Sequence, residues 1–127
     1  MTNVTIMVVE DHPATRAALV ELLQAAFPLC ALVAADRAER ALDLCTAAAP
    51  HVVIMDIALS GMSGIEATRR IKATWPDTRV VMHSGYDMRV YRDGAAAAGA
   101  SAFVRKGKNV SELVPVVASL LAAAPGI

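Results

Sequence analysis

Five short apolar runs, each followed by a longer segment of helical period, divide the chain, and this alternation restricts its fold more than any other feature. The runs cover residues 5–9, 31–35, 52–55, 79–82 and 101–104. The intervening stretches 13–27, 38–49, 64–75, 88–98 and 110–123 carry apolar residues at helical spacing. Strand and helix in strict turn predict an α/β domain with a parallel sheet and helices on both faces, and the near-continuous apolar character of several runs suits strands covered on both sides. In the first helix Ala17, Leu19, Val20, Leu22 and Leu23 are predicted to form the buried stripe, with Pro13 in the first turn. Gly94, inside the fourth helix, is expected to cost about 1 kcal/mol relative to alanine and to leave that helix the least rigid.

At 127 residues the chain is read as one domain over residues 1–127, with a core at about 4–121 and a tail, 122–127, that ends the fold or begins a linker. Hydrophobic residues make up 56% and aromatics only 4%, so the interior must be built of Ala, Val, Leu, Ile and Met. Twelve basic and twelve acidic residues cancel, which argues against direct nucleic-acid binding by this domain. The apolar run at residues 4–9 is too short to span a bilayer and lacks a basic flank, so a cytoplasmic domain with no membrane partner is expected. Cys30 and Cys45 have no CxxC spacing and read as reduced core thiols.

In an open parallel sheet, ligands bind beyond the carboxyl ends of the strands, so the residue that follows each apolar run matters most. The first run leads into Glu10 and Asp11, the third into Asp56, the fourth into Ser84, and the fifth into Arg105 and Lys106. Polar strand ends are ordinary when taken singly. Together, three carboxylates and one lysine on one rim leave a local charge of minus two. At an effective dielectric near 20, like charges ~4 Å apart repel by roughly 4 kcal/mol per pair. A hard divalent cation with oxygen ligands, Mg²⁺ where phosphate chemistry is involved, answers that charge. An aspartate beside such an ion, a lysine and a hydroxyl is suited to accept a phosphoryl group.

These residues, in order and spacing, resemble the receiver domains of two-component response regulators over essentially the whole span from Val4 to Leu121. The segment VVEDHP (8–13) is similar to the family's acidic-pair motif in the His-Pro form found among nitrate-response and quorum-sensing-type regulators. VVIMDIALSGMSG (52–64) resembles the segment that carries the phosphoacceptor, VVMHSG (80–85) the strand ending in a hydroxyl residue, and GASAFVRK (99–106) the last strand with its aromatic and its lysine. The resemblance implies a flavodoxin-like (βα)5 domain of strand order 2-1-3-4-5. It implies Asp56 as phosphoacceptor, a Mg²⁺ ion held by Glu10, Asp11, Asp56 and the backbone carbonyl of Ala58, and phosphoryl contacts from Ser84 and Lys106. Ser84 and Phe103 would be the switch pair. The implied partners are a sensor histidine kinase and an effector, in the parent chain or a separate protein, with a homodimer as a further possibility; the His-Pro form slightly favours a helix-turn-helix effector. The implied output is a changed face formed by the fourth helix, fifth strand and fifth helix.

The chain departs from the family pattern at three places. Ser60 and Gly107 stand where prolines are usual, so the loop after Asp56 is expected to be looser and the Lys106–Gly107 bond to be trans. Ala58 and Tyr86 occupy positions that in the family influence how water reaches the phosphoryl group, and neither carries an amide or carboxylate; a persistent phosphoryl group is expected. The first two departures motivate an alternative, a phosphorylation-independent interaction module on a receiver scaffold. A third reading, a phosphatase-like enzyme turning over through an aspartyl phosphate, is disfavoured because Ala58 leaves no general acid two residues beyond Asp56. The domain is therefore expected to catalyse only its own phosphorylation and dephosphorylation. His12 reads as a surface or capping group, His83 as a buried packed or hydrogen-bonded residue facing away from Ser84, and His51 as a strand-entry surface residue. Arg69 and Arg70 read as a solvated pair. Met82, Met88, Val90 and Tyr91 read as core packing at or near the fourth helix, with some apolar surface left for a partner.

Overall fold

The computed structural model describes residues 4–85 and 89–123. The five strands are β1 (Thr5–Val9), β2 (Ala31–Ala35), β3 (Val52–Met55), β4 (Arg79–Ser84) and β5 (Ala102–Arg105), and they pair in parallel in the order β2-β1-β3-β4-β5. The helices are α1 (Pro13–Ala26), α2 (Ala38–Ala47), α3 (Gly64–Thr74), α4 (Arg89–Ala98) and α5 (Val114–Ala123). The order expected from the resemblance is therefore the order present. Strand alternation sorts the interior into two layers. Met7, Val9, Val53 and Met55 face α2, α3 and α4 through Ala41, Cys45, Ala67, Ile71 and Ala95. Ile6, Val8, Val52 and Ile54 face α1, α5 and the turn before it through Leu19, Leu23, Leu113, Val117 and Leu121.

Local signals explain most element ends. His12 caps α1, its ring nitrogen accepting from the Thr15 N–H, with Pro13 in the first turn. Ser63 caps α3 by accepting from the Glu66 N–H. Two strands sit further along than sequence reading places them: β4 runs on through His83 and Ser84, and β5 starts at Ala102 and includes Arg105. In α1, Leu19 and Leu23 are fully buried while Val20 and Leu22 are half-buried. Ala17 is exposed, which corrects its place in the stripe; the buried seam follows a strict four-residue step.

The start of the last helix differs more. A π-helical turn, Asn109–Leu113, precedes α5, with the Leu113 N–H donating to the Lys108 carbonyl and the Val114 N–H to the Asn109 carbonyl. The wider turn ends one residue before Val114 and two before Pro115, which has no N–H to continue an ordinary helical ladder. Gly94 also has a packing reason: a Cβ there would lie 3.2 Å from the Ile65 side chain, so its absence lets α4 approach α3. The expectations on Tyr86, Met88 and the tail 124–127 lie outside the described residues.

Gly64 is the glycine on which the site depends. A Cβ at this position would stand 1.9 Å from the Asp56 carbonyl oxygen, and the Gly64 N–H donates to the Ile57 carbonyl at 3.0 Å, folding the loop after β3 tightly back on itself. Gly64→Ala is expected to destabilise the domain by at least about 2 kcal/mol in urea denaturation, whereas Gly85→Ala should change stability by less than about 0.5 kcal/mol, because a Cβ at Gly85 meets nothing within 4 Å. Equal stability of the two variants would contradict this packing account.

Candidate functional site

With order β2-β1-β3, the chain leaves β1 in one direction to form β2 and in the other to form β3, so a crevice opens beyond the carboxyl ends of β1 and β3. The backbone ladder continues one residue past each strand. The Glu10 N–H donates to the Ala35 carbonyl at 3.0 Å, the Asp56 N–H to the Val9 carbonyl at 3.1 Å, and the Lys106 N–H to the Ser84 carbonyl at 2.8 Å. The functional side chains thus grow from backbone already fixed to a neighbouring strand.

They converge on a cleft of about 500 Å³ lined by Glu10, Asp11, His12, Thr15, Asp56, Ala58, Gly85 and Lys106. Carboxylate oxygens of Glu10, Asp11 and Asp56 all lie within 4.8 Å of one another. Lys106 reaches across with Nζ 3.2 Å from Asp56 Oδ2 and 2.7 Å from Glu10 Oε1. Asp56 is only 4% exposed, yet it opens into the cleft wall. Its Oδ1 accepts from the Ala58 N–H at 3.2 Å. Glu10 Oε2 accepts from the His12 N–H at 3.1 Å, and the Arg16 guanidinium donates to the Glu10 carbonyl. Ser60 donates to Asp11 Oδ2 at 3.4 Å, and the Met62 N–H donates to Glu39 Oε2 on α2, so the loop that carries Ala58 is tied at two points where a proline is absent.

Burial and charge together explain the titration of the group. Burial, and then the negative charge of Glu10, push the Asp56 carboxyl up to about 6 against the opposing pull of Lys106. Burial acts the same way on Glu10, but Lys106 and the His12 N–H outweigh it and hold Glu10 below the usual carboxylate range. Lys106 is raised: the two carboxylates outweigh its own burial. Three negatives and one positive leave minus two in this corner. The buried Glu10 Oε1 has its ion pair with Lys106 and no other hydrogen-bond partner among the described residues. An all-oxygen donor set, a buried carboxylate oxygen whose one partner is a lysine, and an excess of carboxylates over cations fit a hard divalent cation.

The remaining sequence-picked residues separate clearly. Ser84 ends β4 with no exposure, behind the cleft wall that Gly85 forms, and so is not itself among the lining residues. Phe103 is half-buried on β5, and the Arg92 guanidinium stands over its ring at 4.6 Å. Lys106–Gly107 is trans, as no described peptide bond is cis, and Gly107 takes φ +92°. His51 accepts from the Thr5 N–H at 3.2 Å, and both Arg69 and Arg70 pair with Glu66 in solvent. Met82 is buried; Val90 is 64% exposed. The cysteines are free, with burial pushing the Cys45 thiol up to about 11. Sequence reading missed Glu39, Thr15, Arg16 and Asn109. Only Glu39 had a signal, an acid in the first turn of α2, and nothing local says that it reaches across to another loop.

A parallel five-stranded sheet with an acidic, lysine-capped cleft at its switch point defines the class of phosphorylation-switch domains. Residues 6–118 match the response regulator receiver domain family, and the chain belongs to it. It is 29% identical over 119 residues to the response regulator GacA of Pseudomonas aeruginosa, covering 94% of this chain and 56% of GacA. It spans about half the length of the curated relatives it matches. Among solved structures it is similar to a LuxR-family two-component response regulator from Aurantimonas sp. SI85-9A1, with 34% identity, a TM-score of 0.87, and coverage of 97% and 88% of the two chains. It is also similar to the response regulator TrrA of Thermotoga maritima in complex with Mg²⁺-BeF, at 30% identity, a TM-score of 0.83, and coverage of 92% and 98%. No helix among the described residues is long and apolar enough to cross a membrane.

The raised Asp56 carboxyl has a consequence for stability. Its folded value of about 6 lies above the ordinary 3.8, so the folded state binds more protons between those limits and loses stability as pH rises through them. In metal-free protein at pH 7.5, Asp56→Asn is therefore expected to be more stable than the parent by about 1 to 3 kcal/mol. The difference should vanish below about pH 4. Chemical denaturation at the two pH values checks this, and an Asn variant less stable at pH 7.5 would contradict the raised Asp56 carboxyl.

Proposed function

We propose that this domain takes a phosphoryl group from the phosphohistidine of a sensor histidine kinase onto Asp56, in a Mg²⁺-dependent reaction, and that the modified domain controls an effector in its parent chain or a separate partner. The observation that carries this reading is Lys106 Nζ lying 3.2 Å from the Asp56 carboxylate inside a three-carboxylate cleft. Family membership and likeness to TrrA, solved with Mg²⁺-BeF, support it.

Asp56 supplies the nucleophilic oxygen: a bond from it to phosphorus forms as the bond from phosphorus to the donor imidazole nitrogen breaks, the electron pair leaving with that nitrogen. At neutral pH the carboxyl, titrating at about 6, is mostly in the reactive ionised form. Glu10, Asp11, Asp56 and the Ala58 carbonyl would hold the ion. Mg²⁺, when bound, offsets charge on the transferring oxygens. Lys106 is pre-aimed at the acceptor and passes from the Asp56 carboxylate to a phosphoryl oxygen. Ser84 donates to another, moving from its buried position. That movement frees space toward Phe103 and alters the face made by α4, β5 and α5. The domain catalyses only its own phosphorylation and dephosphorylation. With Ala58 offering no polar side chain to an attacking water, the phosphoryl group persists after the donor is removed.

Incubation with Mg²⁺ and a small acyl-phosphate donor is expected to give a hydroxylamine-labile acyl phosphate on Asp56, and Asp56→Asn should take up none. Lys106→Ala should slow labelling by about 100-fold with Mg²⁺ binding retained. Stable labelling of the Asn variant, or undiminished labelling of Lys106→Ala, would overturn the assignment.

A further inference from the structure

The lysine that reaches Asp56 leaves β5 through a corner that its sequence does little to stiffen. Gly107 follows it in the left-handed region at φ +92°, and a Cβ there would touch nothing within 4 Å. Before the corner, the Lys106 N–H is tied to the Ser84 carbonyl at 2.8 Å. After it, the Lys108 N–H donates to the Arg105 carbonyl at 3.2 Å, and the Lys108 carbonyl accepts from Glu112 and Leu113. A side-chain contact spans the corner: the His83 Nε2 lies 2.8 Å from the Asn109 Oδ1. His83 is 1% exposed, on the strand next to β5 and one residue before Ser84, and Asn109 opens the π-helical turn.

We propose that His83 and Asn109 form a buried clasp that positions Lys106, holding the corner after β5 so that the ammonium group stays in reach of Asp56. The inference rests on the reading of Asp56 as phosphoacceptor. Asn109 Oδ1 can only accept, so Nε2 carries the proton and His83 donates. Burial pushes the His83 ring below its ordinary value against the effect of the Asn109 bond, and the nearby Lys106 charge adds to the lowering; the donor is the neutral ring. With His83 packed in the core and Asn109 fixed to it, the three residues Lys106, Gly107 and Lys108 are held at both ends. Asn109, the first residue of the π-helical turn, is the one that reaches His83 on β4. Position 107, where related sequences are expected to carry a stiffening proline, is thereby freed for glycine. Both are positioning residues; neither touches the cleft.

Two ligands separate positioning from general damage. Mg²⁺ alone reports the carboxylates, and beryllofluoride in saturating Mg²⁺ reports the lysine as well. Asn109→Ala, at a half-buried site, is expected to weaken beryllofluoride binding, followed by ¹⁹F NMR, by about tenfold. Mg²⁺ binding by calorimetry should stay within about twofold or tighten, since a competing cation withdraws. His83→Phe should show the same split, the double variant should be no worse than either single one, and His83→Gln, which keeps a donor, should stay within about threefold of the parent. Unchanged beryllofluoride affinity in Asn109→Ala, parallel loss of both ligands, or losses that multiply in the double variant would each overturn the clasp. Failure of the parent protein itself to bind beryllofluoride sinks the phosphoacceptor reading instead, and the clasp with it.

Discussion

The parallel register between β1 and β3 forces two carboxylates together, and much of the structure answers that one repulsion. Val9 pairs with Met55, so the next residue on each strand, Glu10 and Asp56, must stand side by side at the same edge. Neither can move away, because the backbone of each is hydrogen-bonded to a neighbouring strand. Like charges within 4.8 Å in a part-buried corner repel by about 3 to 4 kcal/mol at an effective dielectric near 20. Lys106 arrives from two strands away to offset part of this, and burial together with the charge of Glu10 still leaves Asp56 with a raised proton affinity. A domain with a binding function can tolerate such a corner because ligand binding relieves it.

Precision in this corner is supplied from outside it. Gly64 permits the closest approach of α3 to the backbone of Asp56, and Ser60 and Glu39 tie the intervening loop to β1's exit and to α2. On the other side Lys106 depends on a corner whose glycine gives no stiffness of its own, and the buried histidine of β4 is the nearest fixed point. The two halves of the site are thus braced by different layers of the fold: the loop after β3 by helices on one face, the corner after β5 by the strand beside it. Phe103, with the Arg92 guanidinium 4.6 Å over its ring, lies on the opposite face of β5, toward α4, three residues before Lys106.

Much of this was legible in the residues. Alternation of apolar runs and helical segments fixed all five strands within two residues and the helices closely, and the rule that strand ends carry the ligands picked Glu10, Asp11, Asp56 and Lys106, which do converge. The strand order rested on resemblance, since periodicity carries no information on which strands are neighbours. Ser84 ends β4, which runs two residues longer than its apolar stretch, and it is fully buried and not among the cleft-lining residues. The π-helical turn was missed: Pro115 is visible in the sequence, but nothing local reports the contact of Asn109 with His83. Glu39, Arg16 and Asn109 escaped because polar residues on helices look solvated until the opposite loop is known. Ala17 was misplaced because alanine fits a buried stripe and an exposed face equally well.

The central claim is that burial and the charge of Glu10 together raise the proton affinity of Asp56 until a divalent cation arrives, and direct titration of side-chain carboxyl carbons by NMR tests it. Without Mg²⁺, one aspartate carboxyl should titrate at about 6; with Mg²⁺ saturating, the same resonance should move well below the ordinary aspartate range. Two carboxyls that titrate as in model peptides, with midpoints indifferent to Mg²⁺, would contradict the account.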